Sequence, residues 1–546
     1  MTDNTQNDSW DDSLNVAVLD SPGPNHDYET AGSFILGLED PWTLKILHHK
    51  FIVHNNFHRF RALRQLDLSM CELEAIPDWA FLNCTDLQQV KLPASLRQID
   101  SHAFENAALT GVLDLESCTT LTLLGAGAFK NCKSLERVKL PQSLQTIGAR
   151  AFSNCSALER VVFPAALSEI GGDAFEDTAL KGLDLSKCTT LTSISNGTFT
   201  HCESLERVAL PPSLETIGET AFWGCEKLKR VDFPESLITI EESAFGHSGI
   251  QSVYIPNSVE FIGDESFAGC QELKILDLSA TNQNLRFGSE AFLGCEALTQ
   301  VELSRETTRI ENGSFQICSG LQRICLPPSL QVIDPYAFAN SGLTEIHIPA
   351  TVERIARSAF ESCESLRIVT FSTGDESALE IEEAAFADCT SLQNIEIPQS
   401  VTRIGDDTFF KCVSLMHVQR LRNVKDEVWH AVMKAVNCPS KGFRFRWPRD
   451  EGRGVELEWK RRFDFVMVNE ETGTRVFPEN VSPGLWPCLL SRWLTKSPLI
   501  WRSERLSFEA PQPSESTKAS VAFNFLRKNA DFLLHCQNQD HSPDER

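Results

Sequence analysis

Phenylalanine returns every 22 to 26 residues over more than half of the chain. The anchors run from Phe81 and Phe104 through Phe129, Phe152, Phe175, Phe199, Phe222, Phe245, Phe267, Phe292, Phe315, Phe338 and Phe360 to Phe386 and Phe409, a period of about 23 residues. A unit this short cannot bury its own apolar face, so neighbours must stack around a shared interior. The 546 residues therefore do not divide into three or four globular domains of about 150 residues each. Other columns keep the register. Ala128, Ala151, Ala221 and Ala244 precede the anchor, and Ile99, Ile147, Ile170, Ile194, Ile217, Ile240 and Ile262 stand five before it. A longer repeat lies on top: Leu113-Asp114-Leu115 and Cys118-Thr119-Thr120-Leu121 recur 70 residues later as Leu183-Asp184-Leu185 and Cys188-Thr189-Thr190-Leu191.

One unit reads as follows. In Leu135-Glu136-Arg137-Val138-Lys139-Leu140-Pro141, Val138 and Leu140 alternate with charged residues, the pattern of a half-buried strand. Pro141 has no amide hydrogen for the ladder and ends it. Ser143 to Gly148 supply a second apolar pair and a turn, and Ala151 to Cys155 predict a tight helical turn with Phe152 pointing inward. Each buried Leu, Ile or Phe contributes roughly 1.5–3 kcal/mol.

The run from Leu135 to Leu158, Leu-x-x-Val-x-Leu-Pro-x-Ser-Leu-x-x-Ile-Gly-x-x-Ala-Phe-x-x-Cys-x-x-Leu, resembles the BspA-type leucine-rich repeat family, and the resemblance spans about residues 60–419. It implies an α/β leucine-rich repeat solenoid: a right-handed coil with a parallel sheet on its concave face and short strands and helical turns on its convex face. It also implies protein binding or adhesion, and many bacterial members are surface proteins. Here the first 30 residues are polar and acidic, without the basic start and apolar stretch of a secretory signal, so a cytoplasmic or nuclear location is expected and the adhesin role does not transfer. The Asn-x-Ser/Thr matches, Asn83-Cys84-Thr85 and Asn154-Cys155-Ser156 among them, are then expected to stay unglycosylated. The expected organisation is a disordered acidic start (1–40), an amphipathic capping segment (41–62), about 15 repeat units (63–419) and a small α+β segment (420–546).

Chemistry-bearing residues are placed as packing groups. Eleven of the 18 cysteines stand three after the anchor, from Cys84 and Cys132 to Cys389 and Cys412. Regular placement points to small residues filling a recurring pocket. No Cys-x-x-Cys pair exists, so no zinc site is expected. His48, His49, His54 and His58 crowd the cap, and His54 and His58 have the i, i+4 spacing of a ligand pair. With no glutamate beside them they read as part of the apolar cap. Phosphate-loop, nucleophile-elbow and kinase motifs are absent from the sequence. The expectation is a chain without catalysis, metal or cofactor.

The informative surface is the strand face, where outward residues of successive strands form columns about 4.8 Å apart. Candidate binding residues there are Arg137, Lys139, Arg160, Arg207, Arg230, Tyr254, Arg323 and His347. Arginines at recurring positions suit bidentate contact with carboxylates, which points to an acidic segment of a partner protein. Local pairing is the other reading, since Glu136, Glu159 and Glu206 each precede an arginine.

After Leu415 the period stops. Residues 420–546 hold 21 Lys and Arg against 17 Asp and Glu, within a chain of net charge −25, and six of the ten tryptophans. A helix is expected over Val424–Val436, strands near Phe443–Trp447, Val455–Trp459 and Phe463–Val466, a loop at 509–520 and a final helix from Ser520 to Cys536. Gly484-Leu485-Trp486-Pro487 with Val521 to Arg527 looks similar to tails of diatom repeat proteins. The basic, aromatic stretch Lys441–Phe463 invites a nucleic-acid reading, but Glu451, Glu456 and Glu458 interrupt it. The strong negative charge argues against general nucleic-acid or anionic-membrane binding, and no apolar run reaches the ~20 residues of a membrane helix. The chain thus reads as a non-catalytic protein–protein interaction scaffold. The alternative is an adaptor or regulatory protein whose C-terminal segment binds nucleic acid or carries an activity of its own.

Overall fold

The computed structural model describes residues 62–281, 285–372 and 378–415, residue Val432, and the strands Val16–Asp20, Thr43–Leu47, His417–Arg420, Phe443–Arg446, Val455–Lys460, Asp464–Asn469 and Arg475–Val476. They form a parallel-strand β-solenoid of about 15 turns, divided into two compact units, residues 1–295 and 296–546. The first holds the anchors Phe81 to Phe292 and the second Phe315 to Phe409.

Most turns carry two strands. The outer one is three to five residues long in most turns, as in Leu135–Lys139 and Arg160–Val162, which pair in parallel with Arg160 opposite Arg137. The second is mostly a residue pair such as Thr146–Ile147, bonded in register to Leu123–Leu124 and Glu169–Ile170. Between them the Ser of Pro-x-Ser-Leu links turns: Ser143 Oγ donates to the Leu121 carbonyl at 2.7 Å and Ser236 Oγ to Leu214 at 2.6 Å. Val138, Leu140, Leu144, Ile147, Phe152 and Leu158 of one turn are all buried, as the strand alternation requires.

The anchors are the centre of this core. In the first unit each ring from Phe81 to Phe292 stacks on the next, with centroids 5.0–5.6 Å apart and planes within 16° of parallel. In the second unit Phe315 to Phe409 repeat this at 5.1–5.9 Å. The cysteine column sits beside the rings and does more than fill space. Cys155 Sγ donates to the Phe129 carbonyl at 3.2 Å, Cys225 to Phe199 at 3.3 Å and Cys363 to Phe338 at 3.0 Å. Burial pushes the Cys202 thiol up to about 12 and Cys270 to about 11, so both stay protonated and able to donate at neutral pH. Where the cysteine is replaced, Thr178 Oγ1 bonds the Phe175 carbonyl instead, at 2.9 Å.

The expected helical turns are corrected. Thr220, Phe222 and Gly224 donate to Glu242, Ala244 and Gly246 of the following turn, at 3.0, 2.8 and 2.9 Å. The amides between them, Ala221, Trp223 and Cys225, close short bonds to the residue three before. An α-helix would direct every amide four residues back within the same segment. Two residues per turn, at anchor −2 and anchor +2, reverse the peptide direction by taking positive φ, as Thr220 (52°) and Gly224 (71°) do. Asn83, Asn106, Asn131, Asn154 and Asn340 occupy the second position, and asparagine tolerates that geometry better than most residues. Consecutive turns there are joined by Asn106 Nδ2 to Asn83 Oδ1 at 2.8 Å and Asn131 Nδ2 to Asn106 Oδ1 at 2.9 Å.

Strands extend the repeats at both ends, and those at Phe443–Arg446, Val455–Lys460 and Asp464–Asn469 lie where the alternation places them. Val16–Asp20, within the segment expected to be disordered, pairs in parallel with Thr43–Leu47, which pairs with Gln65–Asp67. Val16, Val18 and Leu19 supply the apolar, partly β-branched content that a strand needs, and the acidic surroundings hide it in a composition reading. Thr43–Leu47 is likewise a strand where an amphipathic cap was expected; His48, His49, His54 and His58 lie outside the described residues. In the second unit Phe443–Arg446 continues the repeat sheet in parallel beside His417–Arg420. Val455–Lys460, Asp464–Asn469 and Arg475–Val476 then add antiparallel strands. The α+β tail is therefore seen as strands bonded to the last repeat. Of the helix expected over 424–436 only Val432 is described, helical and buried, and the loop 509–520 and final helix lie outside the described residues.

Candidate functional site

The outward column of the first unit is set by strand register. Val112 faces Arg137, Arg137 faces Arg160, Gly182 faces Arg207, and Arg230 bridges to Ser252. Four of the eight candidates, Arg137, Arg160, Arg207 and Arg230, thus share one column of exposed residues. Lys139 and Tyr254 stand two residues further along their strands, and Tyr254 is exposed. Arg323 and His347 belong to the second unit.

Ion pairs sort the candidates further. Lys139 is held by Asp114 at 2.9 Å and Glu116 at 3.7 Å, Arg230 by Asp232 at 2.8 Å, and Arg323 by Glu345 at 4.0 Å. His347 is engaged through both ring nitrogens, with Thr370 Oγ1 at 2.9 Å and Ser372 Oγ at 2.8 Å. Arg137, Arg160 and Arg207 have no ion pair among the described residues. Their preceding glutamates do not supply one, because successive residues of an extended chain point apart. Glu159 turns instead to Lys181 of the next turn, at 2.8 Å. Like charges on facing residues repel, so the Arg137–Arg160 pair carries a local cost that no ion pair among the described residues offsets.

Gly182 opens the column. A Cβ added there would meet nothing within 4 Å, and the strands around it enclose a depression of about 870 Å³ lined by Arg137, Arg160, Arg207, Lys181, Lys187 and Asp184 among others. Lys181, Gly182 and Lys187 escaped the sequence reading. Their signal is a glycine in the register position where four other turns of the first unit have arginine.

A second charged cluster lies in the second unit. Asp334, buried at 5% side-chain exposure, accepts from Arg309 Nε and Nη2 and from Arg354 Nη2. Glu311 shares Arg309 at 3.0 Å, and burial followed by the neighbouring Asp334 pushes its carboxyl up to about 7. The folded chain therefore keeps a proton that the unfolded chain releases near its ordinary value of 4.5. Stability should fall as pH rises from about 4.5 through about 7, by at most about 1.4 kcal/mol per pH unit. Urea midpoints at about pH 5 and about pH 8 check this, and Glu311→Gln should flatten the decline; an unchanged decline would assign it to other groups.

Among the described residues no group of three or more His, Cys, Asp or Glu is arranged to hold a metal ion. No described helix is long and apolar enough to cross a membrane.

The family described as BspA type leucine rich repeat region matches residues 50–181, 122–250, 192–295, 239–367 and 368–427. A leucine-rich repeat protein from Bacteroides ovatus is 26% identical over 69% of this chain and 88% of its own, with a TM-score of 0.49. One from Eubacterium ventriosum is 19% identical over 60% of this chain and 89% of its own, at 0.37. The T. pallidum leucine rich repeat protein is 28% identical over 34% of this chain and 72% of its own, at 0.23. No curated protein matches the sequence. These likenesses give no support to the resemblance of the tail to diatom proteins.

Proposed function

The chain belongs to the BspA-type leucine-rich repeat family, and on that premise we propose that it is a non-catalytic scaffold whose first-unit strand face binds an acidic segment of a protein partner. Leucine-rich repeat proteins generally act as protein-interaction surfaces. The observation that carries the reading is the row Arg137, Arg160 and Arg207, exposed and without counter-ions among the described residues. Guanidinium forks pair bidentately with carboxylates, and a preformed sheet loses little conformational freedom on binding. The fifteen free cysteines of the described residues support a reducing compartment, cytoplasmic or nuclear.

Fluorescence anisotropy with a labelled polyglutamate peptide at low salt tests this. The full chain should bind, and Arg160→Glu/Arg207→Glu should weaken binding by more than about tenfold, since each lost fork is a charge-assisted contact and each new carboxylate repels. Binding retained within about twofold would remove the arginine row from the function.

A further inference from the structure

The depression at Gly182 holds more positive charge than its own surroundings neutralise. Its lining includes two carboxylates, and both are already engaged. Glu159 is paired with Lys181 at 2.8 Å. Asp184 Oδ1 accepts the Ser186 hydroxyl at 2.6 Å and the Ser186 amide at 3.1 Å, which holds its carboxyl below the ordinary range. Three guanidinium groups on that lining have no counter-ion among the described residues, in a chain of net charge −25. The floor is open because Gly182 has no side chain; two residues further along, the exposed, uncharged Val162 and Ala209 stand on the strands either side of Asp184. Gly182 is one strand wide, so the gap between the Arg160 and Arg207 rungs spans about two strand spacings, roughly 10 Å.

A single carboxylate brings one negative charge to this place. A phosphate monoester brings nearly two at neutral pH and three acceptor oxygens, which two guanidinium forks can hold at once. We propose that the Gly182 depression receives a phosphorylated serine or threonine of a partner segment, the phosphate seated between Arg160 and Arg207. This rests on the strand face being a docking surface and adds the chemistry it selects. Phosphorylation of the partner then switches docking on.

The test uses the full chain and three short labelled peptides identical except for a central serine, glutamate or phosphoserine. The phosphoserine peptide should bind at least about tenfold more tightly than the glutamate peptide, a preference of charge-assisted origin. Gly182→Leu fills the floor without touching a charge and meets no neighbour at Cβ. It should weaken the phosphoserine peptide by a larger factor than the glutamate peptide and so remove the phosphoserine preference. Arg160→Lys keeps the charge, loses the fork and should weaken the phosphoserine peptide severalfold more than the glutamate one. Equal affinity for phosphoserine and glutamate, or an undiminished preference in Gly182→Leu, would overturn the proposal. So would inorganic phosphate displacing the peptide as well as free phosphoserine peptide does. These failures leave the polyglutamate result standing, whereas loss of that result removes the docking surface itself.

Discussion

Replacing Phe222 with alanine is expected to lower the stability of the folded chain by about 3–5 kcal/mol. The ring is fully buried and stacked on Phe199 at 5.4 Å and on Phe245 at 5.2 Å. Truncation removes its apolar burial and both ring contacts, and leaves a void between the Phe199 and Phe245 rings. The backbone at the site is held in place, since the amides at 220, 222 and 224 are committed to the next turn, which limits how far the void can close. Phe410→Ala, one residue past an anchor and partly exposed, should cost below about 1 kcal/mol. Urea unfolding of both variants separates the two positions. A loss below about 1 kcal/mol for Phe222→Ala would mean that the anchor column does not hold the core.

Asp334→Ala should cost about 2–3 kcal/mol. Removing one partner of a fully buried pair costs about 3–5 kcal/mol, because the remaining charge is stranded. Here the carboxylate is buried but the Arg309 and Arg354 side chains are 46% and 39% exposed, so water can recover part of their solvation. Asp334→Asn keeps the shape and should cost less than alanine while still losing the charge-assisted bonds. Chemical denaturation of the two variants ranks them. Equal stability of wild type and Asp334→Ala would show that the two arginines need no buried anion.

Periodicity made the architecture legible because every turn repeats the same packing problem. The anchor rings, the isoleucine five before them and the cysteine three after them are buried where the spacing placed them. The turn geometry was less visible. Its signature, Asn or Gly two after the anchor, is mixed with His201 and Ile317, which take positive φ while their amides bond Trp223 and Ala339 of the next turn. The thiol–carbonyl bonds were hidden because cysteine reads equally well as a small apolar residue. At the strand face, register could be counted from the sequence, but ion pairing could not. Glu159 precedes Arg160 and yet bonds Lys181, a choice made across turns rather than along the chain. The C-terminal strands were readable from Phe443-Arg444-Phe445-Arg446 and Val455 to Trp459, but their bonding to His417–Arg420 was not, since no repeat signal survives there.

Stacked turns sharing a ring-and-thiol interior leave the outer strand residues free to face a partner. Site-resolved thiol labelling of the native chain, read by mass spectrometry, tests that arrangement most directly. Of the fifteen described cysteines, Cys325 alone is exposed, so it should label at once while the other fourteen stay silent until denaturant unfolds the chain. Prompt labelling of Cys155, Cys225 and Cys363 in the native chain would place the recurring column in water and contradict the fold on which the docking surface depends.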